Sequence, residues 1–163
     1  MSPVQRYYHP EAGFNCRMTN LQAALGCAQL ERIEELQAKR SSILEHYREM
    51  FSEGQGLSLN PKMSWAEPVN WMVCAVLSEE LAPRRDRLLA ELKNTGIDTR
   101  PFFVPVKDMP PYNNCRVVGA EGDEAPVTVR LSETGFNLPS SPGLEDRSVT
   151  MIASALRDLL EEP

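Results

Sequence analysis

A helix-start signal at Thr19, followed by helical periodicity to about Phe51, constrains this chain more than any other feature of its sequence. Thr19 is a good N-cap, and Gln22 three residues later can reach back to the backbone N–H of the cap, so Thr19-Asn20-Leu21-Gln22 reads as a capping box. Leu21, Leu25 and Ala28, then Ile33 and Leu36, fall at three- and four-residue steps, and Leu36, Arg40, Ile43, Tyr47 and Met50 continue as a 4-3-4-3 stripe, with Glu34, Glu35, Lys39, Glu45 and Glu49 on the other faces. The spacing predicts one long spine helix over 19–53, bent near Gly26 and ended by Gly54 and Gly56. Ala23, Ala24, Gly26 and Ala28 let another backbone approach, either inside the fold or at a subunit interface. Ahead of the cap, the loop over 1–18 brings Asn15 and Arg17 beside a helix N-terminus, whose orphan N–H groups favour an anion. Most capped helices bind nothing, and an asparagine here equally satisfies loop backbone groups.

After a connector over 57–68, Val69 to Leu77 is a short apolar run rich in β-formers and reads as a buried strand. Ser78 to Asn94 is expected to be a helix with Pro83 in its first turn and a buried face of Leu81, Leu88, Leu89 and Leu92. Gly96 supplies a left-handed cap against which Ile97 packs. Asp98 to Val104 reads as a strand, and 106–126 as irregular chain or a short helix. For Val127 to Leu131 the sequence leaves helix and strand open. Thr134 to Leu138 is a final strand, and Leu144 to Leu160 a helix with Val149, Ile152, Ala153, Leu156 and Leu159 on one face. The whole is an α+β domain: a small antiparallel or mixed sheet of about three strands, covered by helices in a unit over 57–163 and preceded by the spine helix.

Across 163 residues a net charge of −6 argues against a nucleic-acid binder, which needs clustered cations at phosphates. The densest basic cluster, Arg84, Arg85 and Arg87, is expected on a solvated helix face. No apolar run reaches membrane-spanning length, and the first residues show no signal-peptide pattern. Four cysteines without CxxC spacing and two histidines far apart in sequence give no zinc pattern and suit a reduced, cytoplasmic chain.

Three blocks carry a resemblance. HPEAGFNCRMTNLQAALGCAQLERIEEL, GIDTRPFFVPVKDMPPY and GFNLPSSPGL, in that order, are similar to conserved-order motifs of the pyridoxal-phosphate-dependent sugar aminotransferases of the DegT/DnrJ/EryC1/StrS family. The chain most resembles its GDP-perosamine synthase-like members, which aminate GDP-4-keto-6-deoxymannose with glutamate. The resemblance implies the C-terminal small domain of a fold-type-I aminotransferase. The large N-terminal domain, with the Schiff-base lysine, is expected to be missing, since Lys39, Lys62, Lys93 and Lys107 match no Schiff-base motif. The chain alone is therefore expected to be inactive and to bind no cofactor by itself, as a fragment, a truncated product or the partner of a separate large domain.

Carried over by position, the resemblance makes Asn15 a contact to the cofactor phosphate across a dimer interface, with Arg17 on the same phosphate or bracing the loop. It puts Tyr8, His9, Arg100, Phe103 and Tyr112 on the nucleotide-sugar side. Two positions depart from the family pattern: Cys16 replaces the usual tyrosine after the asparagine, and Lys107 the histidine of the P-x-H element. Two other readings remain: a helical dimerisation module that kept the fold and lost the chemistry, and a small-molecule binder using the Asn15 loop. Surfaces left uncovered, among them Trp65, Trp71 and Phe102-Phe103, point to a homodimer or higher oligomer.

Overall fold

The computed structural model describes residues 2, 4–51, 56–117 and 125–161. The capping box forms as expected: the Gln22 N–H donates to Thr19 Oγ1 at 3.4 Å and the Thr19 N–H to Gln22 Oε1 at 2.8 Å. Helix α1 (Asn20–Leu30) follows, and α2 spans Ile33–Met50. The single spine helix is thus divided, and the break falls at Glu31-Arg32 rather than Gly26. Arg32 leaves helical geometry at φ −119° and ψ 17°, and its guanidinium forks onto Glu35 in the first turn of α2 at 3.0 and 3.1 Å. Lys39 joins the same carboxylate at 2.9 Å. Arg32 first and Lys39 second hold Glu35 down, to a pKa of about 2.

Four strands form one antiparallel sheet in the order β1-β2-β4-β3: β1 Leu57–Leu59, β2 Val73–Leu77, β3 Arg100–Pro101 and β4 Gly135–Leu138. The expected connector thus begins with an edge strand, in register Leu57 to Leu77. The strand expected over Val69 to Leu77 is shorter at its start, because Asn60 intervenes there. Its Oδ1 accepts from the Cys74 N–H at 2.7 Å and its Nδ2 donates to the Met72 carbonyl at 3.1 Å. The strand expected over Asp98 to Val104 contracts to two residues, since Pro101 and Pro105 have no N–H to offer a ladder.

Between β2 and β3, a 3₁₀ turn (Ala82–Arg84) leads into α3 (Arg85–Asn94). Gly96 takes φ 86°, and the Ile97 N–H reaches the Leu92 carbonyl at 2.9 Å, closing the expected Schellman cap. Short 3₁₀ turns at Val106–Asp108 and Pro110–Tyr112 follow. The undecided segment at Val127 is helical, within α4 (Pro126–Thr134), and α5 spans Asp146–Glu161. The helix-ending Gly54 and the acidic part of the expected irregular stretch, 118–124, lie outside the described residues.

Alternation along β2 sends Val73, Ala75 and Leu77 into one core with Phe136 and Leu138 of β4. Ile43, Leu44 and Tyr47 of α2, Leu88 and Leu92 of α3, and Val149, Ile152 and Leu156 of α5 complete it. Burial pushes the Tyr47 phenol up; its O–H donates to the Pro139 carbonyl at 3.0 Å. The arginine cluster departs from expectation. Arg84 donates to the Leu159 carbonyl near the end of α5 at 2.9 Å, and Arg85 donates to the Ser132 carbonyl of α4, so both clamp neighbouring helices. Arg87 pairs with Glu91 along α3.

Candidate functional site

β3 has only two residues, yet it organises the edge where the sequence blocks meet. Arg100 pairs with Asn137 and Pro101 with Phe136, after which the Phe102 N–H still reaches the Gly135 carbonyl at 3.1 Å. Gly135 permits this approach: a Cβ there would clash with the Phe102 ring and lie 2.6 Å from the Leu131 carbonyl oxygen. Phe102 is thereby pressed onto the sheet and Phe103 stays half exposed beside it.

The N-terminal arm docks on this edge. Ser2 and Tyr8 close a turn through a 2.7 Å N–H to carbonyl bond, and Tyr7 within it is left-handed at φ 62°. The Tyr7 ring meets Phe103 edge to face at 4.7 Å. Arg6 Nη1 donates to the Thr99 carbonyl at 3.2 Å and lies 3.8 Å from Asp98. Arg6 and Tyr7 make these contacts; Tyr8 and His9 follow them in sequence, Tyr8 half-buried and His9 exposed. Tyr112, in the second 3₁₀ turn, is partly exposed.

Asn15 and Arg17 are not brought to this edge by any contact. They sit in an exposed segment without regular structure and make no hydrogen bond or ion pair with the described residues. The segment from His9 through α1 is fixed at both ends, by Tyr7 at Phe103 and by α2 in the core. Between them it is uncovered: α1 has no buried residue, and Phe14, Met18, Leu21, Leu25 and Leu30 are all exposed.

Two depressions flank Asn137, a residue the sequence reading passed over. One, of about 390 Å³, has Arg40, Trp71, Asp98, Arg100 and Ser140 among its lining residues. The other, of about 320 Å³, is apolar and lies on the sheet face away from the core, over Met72, Cys74, Phe102 and Leu131. The Cys74 thiol is 3.4 Å from Asn137 Oδ1, and burial pushes its pKa up. Arg6, Tyr7, Arg40 and Asn137 were also missed. For Tyr7 and Arg6 the signal was the block RYYH, read only at its last two residues; for Arg40 it was a cation inside an otherwise apolar stripe.

The sequence profile of the DegT/DnrJ/EryC1/StrS aminotransferase family matches residues 1–157. The chain is 34% identical to GDP-perosamine synthase of Caulobacter vibrioides over 98% of its own length and 42% of that protein. It is 34% identical to the GDP-perosamine synthase of Vibrio cholerae, covering 94% of this chain and 41% of the other. Among solved structures, Streptomyces venezuelae DesV in complex with a ketimine intermediate aligns over 98% of this chain and 41% of that one, at 26% identity and a TM-score of 0.76. Helicobacter pylori PseC, an aminotransferase involved in the biosynthesis of pseudoaminic acid, shares the fold at 19% identity and a TM-score of 0.76, over 93% of this chain and 40% of its own. The chain thus spans about two fifths of the length of the curated relatives it matches.

Proposed function

Because the chain belongs to the DegT/DnrJ/EryC1/StrS aminotransferase family, we propose that it is the C-terminal part of a pyridoxal-phosphate-dependent nucleotide-sugar aminotransferase of the GDP-4-keto-6-deoxyhexose type. In this reading it is not catalytic by itself. The docking of the arm beside β3 supports the proposal: Tyr7 rests against Phe103 and Arg6 on the Thr99 carbonyl, and in this reading the neighbouring Tyr8, His9 and Arg100 form the substrate-side wall with Phe103. Tyr112 extends that wall. The uncovered Asn15 is the amide donor for a cofactor phosphate beside the N-terminus of α1, and Arg17 braces its loop.

Bound pyridoxal phosphate supplies the electron sink for amino transfer and needs a lysine amine held at its aldehyde carbon. The lysines of this chain do not fit that seat. Lys39 is ion-paired to Glu35 at 2.9 Å and Lys107 to Asp108 at 2.8 Å, while Lys62 and Lys93 are exposed. The lysine therefore comes from a large domain, in the same or a separate polypeptide. The exposed thiols of Cys16, Cys27 and Cys115 suit a cytoplasmic setting.

Titration with pyridoxal phosphate, followed by borohydride reduction and mass analysis, tests the inactivity of the chain alone. No reduced adduct at a unique lysine is expected, and a stoichiometric adduct at one lysine overturns it. Replacing the matching region of the Caulobacter vibrioides enzyme with this chain tests the family role. Glutamate-dependent amination that survives the exchange and is lost with Asn15→Ala supports it.

A second reading, a dimerisation module derived from this fold, is favoured by α1, where Leu21 is 80% and Leu25 69% exposed. Either reading leads to a homodimer or higher oligomer. A chain that stays monomeric at high concentration in sizing with light scattering rejects the module.

A further inference from the structure

We propose that the depression between α2 and the β3–β4 edge is a binding pocket for an oxyanion, with Arg40 and Arg100 as its cationic walls. The two guanidinium groups come from distant parts of the chain, one from the spine helix and one from β3, and line the same cavity of about 390 Å³. That volume suits a small ligand or one end of a larger one. The chain as a whole carries −6, so a pocket with two arginines and a single carboxylate runs against the charge around it. That carboxylate, Asp98, is already turned towards Arg6 of the docked arm at 3.8 Å. Asp98 is thus shared between the arm and the cavity it lines.

The cavity is also built rather than incidental. Arg40 spends one N–H on the Trp71 carbonyl at 2.8 Å, which fixes its plane and leaves its other donors for a ligand. The Ser140 hydroxyl lies 3.5 Å from the same carbonyl, and Asn137, only 7% exposed, also lines the cavity. The Trp71 side chain at the rim is exposed, a flat apolar surface beside a charged recess. Forked guanidinium donors and hydroxyls recognise phosphate and carboxylate oxygens alike.

The proposal deepens the substrate-side reading of Arg100 by naming the chemistry held there. Its test involves neither cofactor nor sugar, so it fails or stands separately from the aminotransferase reading. In a Trp65→Phe background, Trp71 fluorescence is titrated with inorganic pyrophosphate and, separately, with succinate. Saturable binding that weakens as ionic strength rises is expected. Arg100→Gln should weaken it roughly tenfold, and Asp98→Asn should tighten it. The tighter of the two probes identifies the source, a phosphate ester or a carboxylate. A lack of saturable response to both anions, or affinity unmoved by both substitutions with the unfolding midpoint intact, overturns the proposal.

Discussion

The Tyr7 ring stands at 78° to the Phe103 ring with centroids 4.7 Å apart, and this contact joins the N-terminal arm to the sheet edge. It holds a residue whose backbone is left-handed at φ 62°. A tyrosine pays for that conformation only where its surroundings over-determine it. The arm is therefore fastened at Arg6 and Tyr7, ahead of a long uncovered stretch, and its position depends on few contacts.

Phe103→Ala should free the arm while leaving the core intact. An edge-to-face pair contributes about 0.5–1.5 kcal/mol beyond its area, so hydrogen exchange at the Tyr8 amide should quicken roughly three- to tenfold. Global unfolding should move little. Unchanged exchange over residues 4–8 would show that Arg6 alone holds the arm.

Gly135→Ala should destabilise the domain by about 1–3 kcal/mol, because the new methyl meets the Phe102 ring and the Leu131 carbonyl oxygen below 3.0 Å. Urea unfolding measures this. Adding Phe102→Ala should recover only part of the loss, since the backbone carbonyl remains in the way.

Tyr47→Phe should cost about 1 kcal/mol through the lost bond to the Pro139 carbonyl. The buried phenol also titrates above its unfolded value of about 10. Its contribution is thus complete below that pH and is lost as pH rises towards the folded pKa. Stability of the native chain should fall above about pH 10 more steeply than that of the Phe variant.

Glu35 should titrate with a pKa of about 2 in a carboxyl-resolved NMR titration. A depressed carboxylate contributes above its unfolded pKa and loses that contribution as pH falls towards the folded one. Arg32→Ala should return the midpoint towards about 4.3, the ordinary glutamate range, and added salt should do so in part. A midpoint unmoved by Arg32→Ala would mean that the fork at the α1–α2 break is not held in solution.

Leu21→Asp with Leu25→Asp should abolish self-association without lowering thermal stability, because neither side chain enters the core. Sizing with light scattering reads the first effect and thermal unfolding the second. Retained oligomers would place the interface elsewhere, with Trp65 and Val127 the next exposed apolar side chains to test.

Legibility followed the range of the interactions. The Thr19 capping box, the Gly96 cap and the buried face of α5 rest on residues a few positions apart, and each formed where the sequence put it. β1 was not legible, since Leu57-Ser58-Leu59 becomes a strand only because β2 offers it an edge. Arg84 and Arg85 read as solvated because their acceptors, the carbonyls of Leu159 and Ser132, lie far along the chain.

By itself the sequence determined the start of α1 at Thr19, the stop of α3 at Gly96, the apolar face of α5 and the family, all properties of local spacing and residue order. Tertiary structure alone decided that the arm lies on β3, that the spine helix breaks at Glu31-Arg32, and that Arg40 and Arg100 share one cavity. Such pairings depend on which distant segments the core draws together. Hydrophobic burial sets that geometry through the whole packed set of side chains, and no single stretch of sequence encodes it.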